Sequence, residues 1–329
     1  MSSFPQLHQS HAWLDAARLS TYMSEPLPSR LAVAWSGGAD STALLLALKS
    51  CGYEVHAWHV DHGWHPDSAK QSEQLARQAD AWGIPFSSVR LGVAPDSNRE
   101  AEARSGRYEV FQTLANQSGH SDVCLAHHRN DQAETVFMRM LQGAGVHGIC
   151  GMRGIRLRGG LRLFRPFLHL SRSELVEALQ QAGVNWLEDV SNSDTTLWRN
   201  RLRRRTFPAM VTNGVDPVSL FLRWQHQATL VVEKVDDALS HVHFDCSEDT
   251  CTLSWQVWEG LSPMLRTYLL QRMMQQLFGE GVVAGRRHID LMCVWMEQGG
   301  KGGLDLSRSR LMRKDGRLCL YAKPMQGID

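Results

Sequence analysis

The segment Ser36–Ser41, with the sequence SGGADS, combines residue types that can hold phosphate groups. A loop that leaves a strand and enters a helix directs several backbone N–H groups at one place, and the helix N-terminus adds a partial positive charge. Gly37 and Gly38 let the backbone approach an anion without an intervening Cβ. Ser36 and Ser41 supply hydroxyl donors. These features predict a phosphate-binding loop.

Asp40 lies within the same loop but cannot bind an anion directly. Its predicted role is to hold a divalent cation, Mg²⁺, that bridges the phosphates. The loop lacks the G-K-[ST] ending of a Walker A motif and is not a G-x-G-x-x-G fingerprint. Two glycines before a helix are also typical of a simple tight turn. Only the whole SGGADS string, placed between a strand and a helix, favours phosphate binding.

The surrounding pattern alternates short apolar runs with amphipathic segments. Strands are predicted over 30–35, 53–62, 85–92 and 122–128, and helices over 40–50, 67–83, 99–119 and 131–145. This alternation predicts a parallel sheet with right-handed crossovers. Polar motifs follow three of the strands, at Ser36–Ser41, Asp61–Gly63 and His127–Asp131. Ligands bind at the carboxyl ends of such strands, so we expect the three motifs to meet at one edge.

The remainder of the chain suggests a second domain. Predicted features are a short helix over 10–23, a basic loop-rich segment over 150–170, a helix over 171–183 and a basic segment over 199–210 that ends near Pro208. We place domains at 1–214 and 215–329. The first is α/β with a Rossmann-like parallel sheet. The second is smaller, mainly helical, and ends in a hairpin that turns at Lys314–Gly316.

The net charge, the cysteine spacing and the hydropathy of the chain limit the classes of protein to which it can belong. The 329 residues carry a net charge of +1, so nucleic-acid binding requires a local basic patch. The seven cysteines are odd in number, and none has C-x-x-C spacing, which predicts reduced thiols and disfavours a zinc ribbon or iron–sulfur site. No signal peptide or membrane span is evident, so a cytoplasmic location is expected.

Several ordered motifs resemble one enzyme family. The string SGGADS is similar to the pyrophosphate loop of the N-type ATP pyrophosphatases, or PP-loop proteins. Further stretches resemble the tRNA(Ile)-lysidine synthases within that superfamily. They are VDHG (60–63), EARSGRY (102–108), AHHRNDQAETVFMRMLQGAGVHGICGM (126–152), RPFLHLSRSEL (165–175), WLEDVSNSD (186–194) and RNRLRR (199–204). The resemblance implies an adenine nucleotide alpha hydrolase-like fold.

The resemblance also implies a reaction. ATP adenylates the wobble cytidine of an isoleucine tRNA with a CAU anticodon, free lysine replaces AMP, and decoding changes from AUG to AUA. ATP would bind at Ser36, Gly37, Gly38, Ala39, Asp40 and Ser41, with Mg²⁺ on Asp40 and Asp131. The catalytic residues implied are Asp40, Arg107, His127, Asp131 and Glu134. The state of assembly stays open, a homodimer included.

The attacking amine of lysine must lose a proton, because its ordinary pKa is about 10.4. Asp131 and Glu134 are three residues apart on a predicted helix and therefore face the same way. They are candidates for binding the α-ammonium of lysine, for holding Mg²⁺ or for accepting a proton. His62, His127 and His128 are the histidine candidates for the base, and the sequence does not choose among them.

Arginines supply candidate phosphate contacts. Arg104 and Arg107 are three residues apart on a predicted helix and are candidates for neutralising phosphate charge. The dense cluster at Arg199, Arg201, Arg203, Arg204 and Arg205 is a candidate tRNA backbone contact, although such runs are often simply solvated. Trp64, Trp186 and Trp198 lie beside polar motifs, and each is better explained by core packing than by base stacking.

Rival functions are a tRNA 2-thiocytidine synthetase, a GMP or NAD synthetase, and a tRNA-binding protein without catalysis. A thiolase of that kind would need paired cysteines. The synthetases have no need for the arginine cluster. The intact Asp40, Asp131 and Glu134 argue against loss of catalysis.

Overall fold

The computed structural model describes residues 4–5, 19–20, 23–63, 67–91, 99–187, 198–278, 286–306 and 308–323. The chain forms two compact units. The first unit comprises residues 1–137 and 151–223, and the second comprises 138–150 and 224–329. The chain thus passes between the units three times, whereas the sequence placed one boundary after residue 214. The predicted helix over 10–23 lies mainly outside the described residues.

Eleven strands are present in the described ranges. They are β1 (Arg30–Ala34), β2 (Glu54–Asp61), β3 (Phe86–Arg90), β4 (Asp122–Cys124), β5 (Ile155–Arg158), β6 (Leu161–Phe164), β7 (Asp245–Cys246), β8 (Thr250–Ser254), β9 (Gly303–Asp305), β10 (Ser309–Lys314) and β11 (Arg317–Ala322).

The helices of the same ranges follow in chain order. They are α1 (Ala39–Ser50), α2 (Ser68–Ala81), α3 (Arg99–Ser118), α4 (Arg129–Leu141), α5 (Val146–Ile149), α6 (Arg172–Gln181), α7 (Trp198–Arg201), a π-helical turn (Leu202–Thr206), α8 (Phe207–Thr212), α9 (Pro217–Ala238), α10 (Trp255–Gly260), α11 (Pro263–Phe278) and α12 (Arg286–Glu297). No described helix is long and apolar enough to span a bilayer.

The first unit is built on a six-stranded sheet in the order β3-β2-β1-β4-β6-β5. All neighbouring strands are parallel except β5, which runs antiparallel to β6. The predicted α/β fold with a parallel sheet is therefore confirmed. β1 and β4 are neighbours, so the segments that follow them emerge side by side at the carboxyl edge.

Strand β1 and helix α1 form the support of the glycine loop. Leu31–Val33 are fully buried, as expected for an interior parallel strand. The run Ala43–Leu48 of α1 is also fully buried. A helix that is apolar on all sides belongs in a core. Each buried leucine contributes about 1.5–3 kcal/mol of stability, so the two elements hold the loop between them firmly.

The prediction of a loop-rich segment over 150–170 was wrong, because a hairpin forms there. Gly159 and Gly160 have φ values of +56° and +82°, and they connect β5 to β6 as a two-residue turn. Paired positive φ values suit the twist of hairpin strands. Arginines alternate with apolar residues in both strands, so the sequence reads as basic, while burial of Leu161, Leu163 and Phe164 adds β6 to the sheet beside β4.

The basic segment after residue 198 is also more regular than predicted. Helix α7, the π-helical turn and α8 form one helical run, Trp198–Thr212, here called the arginine helix. Pro208 lies in the first turn of α8 and does not end the helix.

The second unit combines helices with a five-stranded antiparallel sheet in the order β7-β8-β11-β10-β9. Its core includes the fully buried Leu253, Leu311 and Leu320. Asp315 and Gly316 have φ values of +49° and +70° and join β10 to β11, which confirms the predicted hairpin. The sheet is larger than the sequence indicated, because short strands from residues 245 and 303 extend it.

The prediction of reduced thiols was wrong for two cysteines. Cys246 and Cys251 lie opposite one another in the β7–β8 pairing and form a disulfide. Their separation of five residues in the chain is not a C-x-x-C pattern, and the hairpin register alone brings them together. The other five cysteines, all within described ranges, are thiols.

Candidate active site

The glycine loop, residues 35–41, takes its shape from contacts with the rest of the first unit. Gly37 has a φ of +82°, and a Cβ there would lie 2.8 Å from Leu187 Cδ1 and from Leu75 Cδ2. Its carbonyl accepts the backbone N–H of Leu187 at 2.9 Å and the hydroxyl of Thr42 at 3.3 Å. The positive φ favours glycine at this position, and a Cβ there would also require the ends of both leucine side chains to shift.

The two serines of the loop are joined to one another. The backbone N–H of Ser36 donates to Ser41 Oγ at 3.2 Å, and the two hydroxyl oxygens lie 3.1 Å apart. Ser41 in turn donates to the carbonyl of Gly38 at 3.1 Å. Gly38 is the N-cap of α1, and no described side chain caps that helix end. The first-turn N–H groups of α1 are thus suited to an anion.

Asp40 stands in the first turn of α1. Its Oδ2 lies 3.6 Å from Nε2 of His128, and its Oδ1 lies 3.6 Å from Nε of Arg172. Oδ1 is buried and accepts no hydrogen bond from the described residues. A buried carboxylate oxygen without a hydrogen bond is chemically a ligand of the kind that a hard cation such as Mg²⁺ prefers.

Asp131 and Glu134 lie on α4 and are both buried. Asp131 Oδ2 accepts the backbone N–H of His128 at 3.0 Å. This N–H group lies at the start of α4, where backbone donors have no partner within the helix. Burial raises the pKa of Asp131, but the charges of His128, His127 and Arg203 outweigh it, so the pKa lies below its ordinary value. Asp131 is therefore a carboxylate at neutral pH.

His128 connects the glycine loop to α4. Its Nε2 lies 3.4 Å from Asp131 Oδ2 as well as 3.6 Å from Asp40. Burial lowers the pKa of His128, but the contact with Asp40 and the charges of both carboxylates raise it above its ordinary value overall. The segments after β1 and β4 therefore meet, as predicted, and an imidazole lies between their acids.

The segment after β2 follows a strand that is parallel to β1, so it lies at the same edge of the sheet. Asp61 accepts the N–H of Gly63 at 2.8 Å and lies 3.7 Å from Nε of Arg90. His59 Nδ1 lies 3.0 Å from the carbonyl of Trp35, which ties β2 to the start of the glycine loop. His62 is half-buried beside this segment.

Two arginines of the predicted tRNA cluster instead contact the α4 carboxylates. Arg203 donates from Nε to Glu134 Oε1 and from Nη2 to Asp131 Oδ1, each at 2.5 Å. Arg199 donates to Thr135 Oγ1 at 2.9 Å and lies 3.6 Å from Glu134. The signal that sequence reasoning missed is their spacing of four residues, which places both on one helix face.

The pKa values of the Asp131 and Glu134 carboxyl groups are shifted in opposite directions. Burial raises the pKa of Glu134 more than the hydrogen bond and charge of Arg203 lower it, so that pKa lies above its ordinary value, whereas that of Asp131 lies below. Neighbouring acids whose pKa values are pushed apart are typical of sites that divide binding from proton transfer.

The other predicted residues differ in their exposure to solvent. His127 is half-buried, Arg107 on α3 is exposed, and Arg201, Arg204 and Arg205 are exposed on the arginine helix. Trp186 packs against the core as expected, whereas Trp198 is 43% exposed. The side chain of Arg104, Trp64 and the segment 188–197 lie outside the described residues. In the described ranges no three acidic, histidine or cysteine side chains form a ready metal cluster.

Known proteins are similar in sequence to most of this chain. Residues 14–210 match the family model of the PP-loop domain. A tRNA(Ile)-lysidine synthase of Chlamydia felis (strain Fe/C-56) is 30% identical over 299 residues, covering 86% of this chain and 90% of the relative. One from Bordetella bronchiseptica is 32% identical over 250 residues, covering 72% of each chain.

A solved structure extends the comparison to the fold. The U34-tRNA thiolase of Methanococcus maripaludis aligns with a TM-score of 0.52 at 12% identity, over 70% of this chain and 80% of that one. At this identity the likeness concerns the fold alone.

Proposed function

This chain belongs to the tRNA(Ile)-lysidine synthase family of PP-loop proteins, and from that premise we propose that it joins free lysine to the wobble cytidine of an isoleucine tRNA with a CAU anticodon. ATP is converted to AMP and pyrophosphate, and the product pairs with A instead of G. The observation that carries the proposal is the convergence of Asp40, Asp131 and Glu134 beside the glycine loop, through His128 and Arg203.

In the first step the cytidine carbonyl oxygen attacks the α-phosphorus of ATP. The N–H groups at the start of α1 and the hydroxyls of Ser36 and Ser41 hold the departing pyrophosphate. Asp40 and Asp131 would hold Mg²⁺, which supplies charge neutralisation to the phosphates when bound. Arg107 is a further phosphate partner in this proposal.

In the second step the ε-amine of lysine attacks the activated carbon and AMP leaves. Asp131, ionised at neutral pH, is the alternative candidate for binding the α-ammonium of lysine if it does not hold Mg²⁺. Glu134, with its raised pKa, is suited to accept a proton from the attacking amine. His128 is a poor base, because it is enclosed by two carboxylates that favour its protonated form. His127 and His62 remain the histidine candidates.

Binding of tRNA is assigned to exposed basic side chains of the first unit, Arg201, Arg204 and Arg205, with residues 215–329 as a further substrate-binding region. The target base must leave its stack to reach the phosphorus. A cytoplasmic location belongs to the same proposal. The absence of C-x-x-C pairs in the sequence disfavours the thiocytidine synthetase alternative.

The deciding experiment is one reaction. Purified protein is mixed with Mg²⁺, ATP, labelled lysine and total bacterial tRNA, and the tRNA is then treated with mild alkali. Label that survives alkali is attached to a base and not to the 3′ end, which is the expected result. Cleavage of ATP without alkali-stable label would overturn lysidine synthesis and favour another amide-forming or thiolating relative.

A further inference from the structure

We infer that Arg203 is a positioning residue that couples RNA contact on the arginine helix to the geometry of Asp131 and Glu134. This inference rests on the proposed function and deepens it. It removes Arg203 from the set of phosphate contacts and assigns it to the amine-handling side of the site.

The face of the arginine helix that carries Arg203, here called the inner face, contacts the α4 carboxylates, and 40% of the Arg203 side chain is exposed to solvent. Asp131 and Glu134 are one helical turn apart and buried, so their charges repel unless a cation lies between them. The guanidinium of Arg203 spans the two acids with one N–H to each, and a planar fork is suited to that task. Asn200 and Leu202 on the same helix are buried, which fixes the helix against the first unit.

The outer face presents a different chemistry. Arg204 and Arg205 are exposed, and the guanidinium carbon of the exposed Arg201 lies 5.6 Å from the ring centroid of Trp198. Cationic side chains beside an exposed aromatic ring are the combination that binds a nucleic-acid backbone and stacks an unpaired base. This face is therefore the part of the helix suited to tRNA.

The two faces share one backbone. Arg203, Arg204 and Arg205 all lie within the π-helical turn. Such turns are rare in proteins, and those that occur are frequently found at functional sites. A shift of this turn caused by RNA on Arg204 and Arg205 also moves the Arg203 fork. Since a misplacement of about 1 Å can cost about 100-fold in rate, tRNA seated on the outer face would set the carboxylates for lysine transfer.

The test compares Arg203→Gln and Arg203→Lys with the outer variant Arg204→Gln/Arg205→Gln, and with Arg77→Gln on the exposed surface of α2 as a matched control. For Arg203→Gln we expect kcat for lysine transfer to fall about 100-fold and KM for lysine to rise. The tRNA Kd and its salt dependence should stay as in wild type. Millimolar guanidinium should restore part of the activity, and Arg203→Lys should retain an intermediate kcat.

The outer variant is expected to behave differently. Its slope of log Kd against log salt should fall by about 1.4–1.8, corresponding to two lost phosphate contacts. The variant that combines Arg203→Gln with the two outer substitutions should have the same kcat as Arg203→Gln alone, because the effects of coupled residues are not additive. Losses that multiply would overturn the coupling.

Two other outcomes would overturn the assignment of Arg203. One is a reduced salt slope with kcat retained, which would return it to the phosphate contacts. The other is a loss that guanidinium does not rescue and that Arg203→Lys shares fully, which would indicate a folding role. If Arg203→Gln does not fold, Arg203→Lys takes its place in both measurements.

Failure of the proposed function would be recognised separately. In that case wild type makes no alkali-stable lysine adduct. Arg203 is then judged by two measurements that need no turnover, the salt slope of tRNA binding and the rise in Tm of Arg203→Gln with millimolar guanidinium. A normal slope with a guanidinium-dependent Tm supports the positioning role, and a reduced slope or an insensitive Tm overturns it.

Discussion

Leu187 donates its backbone N–H to the carbonyl of Gly37 at 2.9 Å, and its side chain occupies the space that a Cβ on Gly37 would need. Residues 150 positions apart in the chain therefore determine together the shape of the glycine loop. A side chain at Gly37 would therefore meet both a strained backbone conformation and the side chain of Leu187.

Gly37→Ala should remove ATP-dependent pyrophosphate release and lower the free energy of unfolding. We expect about 1–3 kcal/mol from backbone strain and about 1–3 kcal/mol from crowding. Gly52→Ala is the matched control, because Gly52 has a similar φ of +85° but nothing within 4 Å of its Cβ position. Urea unfolding of both variants gives the comparison. Equal losses would show that crowding by Leu187 contributes nothing.

Asp40→Asn should strongly slow adenylation of the tRNA while leaving tRNA affinity nearly unchanged. Removing the charge beside the phosphate loop is expected to lower pyrophosphate release by about 100- to 1,000-fold. The exposed Asp80→Asn on α2 serves as control. The measurement is pyrophosphate release together with tRNA binding, and collapse of binding with adenylation preserved would contradict the role given to Asp40.

Glu134→Gln should separate the two chemical steps. Adenylation without lysine should persist, whereas transfer of lysine should fall by about 100- to 10,000-fold, because the proton acceptor is lost. Glu177→Gln, on the exposed face of α6, is the control. Single-turnover kinetics with preformed adenylated tRNA isolates the second step. A transfer rate equal to wild type would remove Glu134 from proton transfer and leave His127 and His62.

Stability should fall as pH decreases from 7.5 to 5.5, in part through His56. Burial and the nearby charge of His120 lower the pKa of His56, so the unfolded chain takes up a proton near its ordinary pKa of 6.5 before the folded state does. The contribution of His56 is therefore fully present above pH 6.5 and is lost as pH falls through the folded-state pKa.

His56→Gln should flatten this part of the pH profile measured by urea unfolding. His128 acts in the opposite sense, since its pKa is raised and its contribution is lost as pH rises. The difference between wild type and His56→Gln isolates the contribution of His56 to the pH dependence of the free energy of unfolding. An identical slope in both proteins would show that His56 titrates alike in the folded and unfolded states.

Much of the fold followed from local pattern. The strands and helices from β1 to α4 were predicted within a few residues, because burial on a parallel sheet imposes apolar runs that a sequence displays directly. The hairpin of β5 and β6 was missed, since alternating arginines concealed its apolar face. The arginine helix was recognised only as a basic segment.

The amino-acid sequence by itself determined the glycine loop between β1 and α1, the acidic residues on α4 and the family, because each of these depends on residues close together in the chain. Tertiary structure alone decided the partners. It placed His128 between Asp40 and Asp131, and it brought Arg203 to carboxylates 69 and 72 residues away. The sequence shows only that several arginines are present. Burying two carboxylates without a cationic partner costs free energy, so the packing of the folded chain decides which arginine pairs with them.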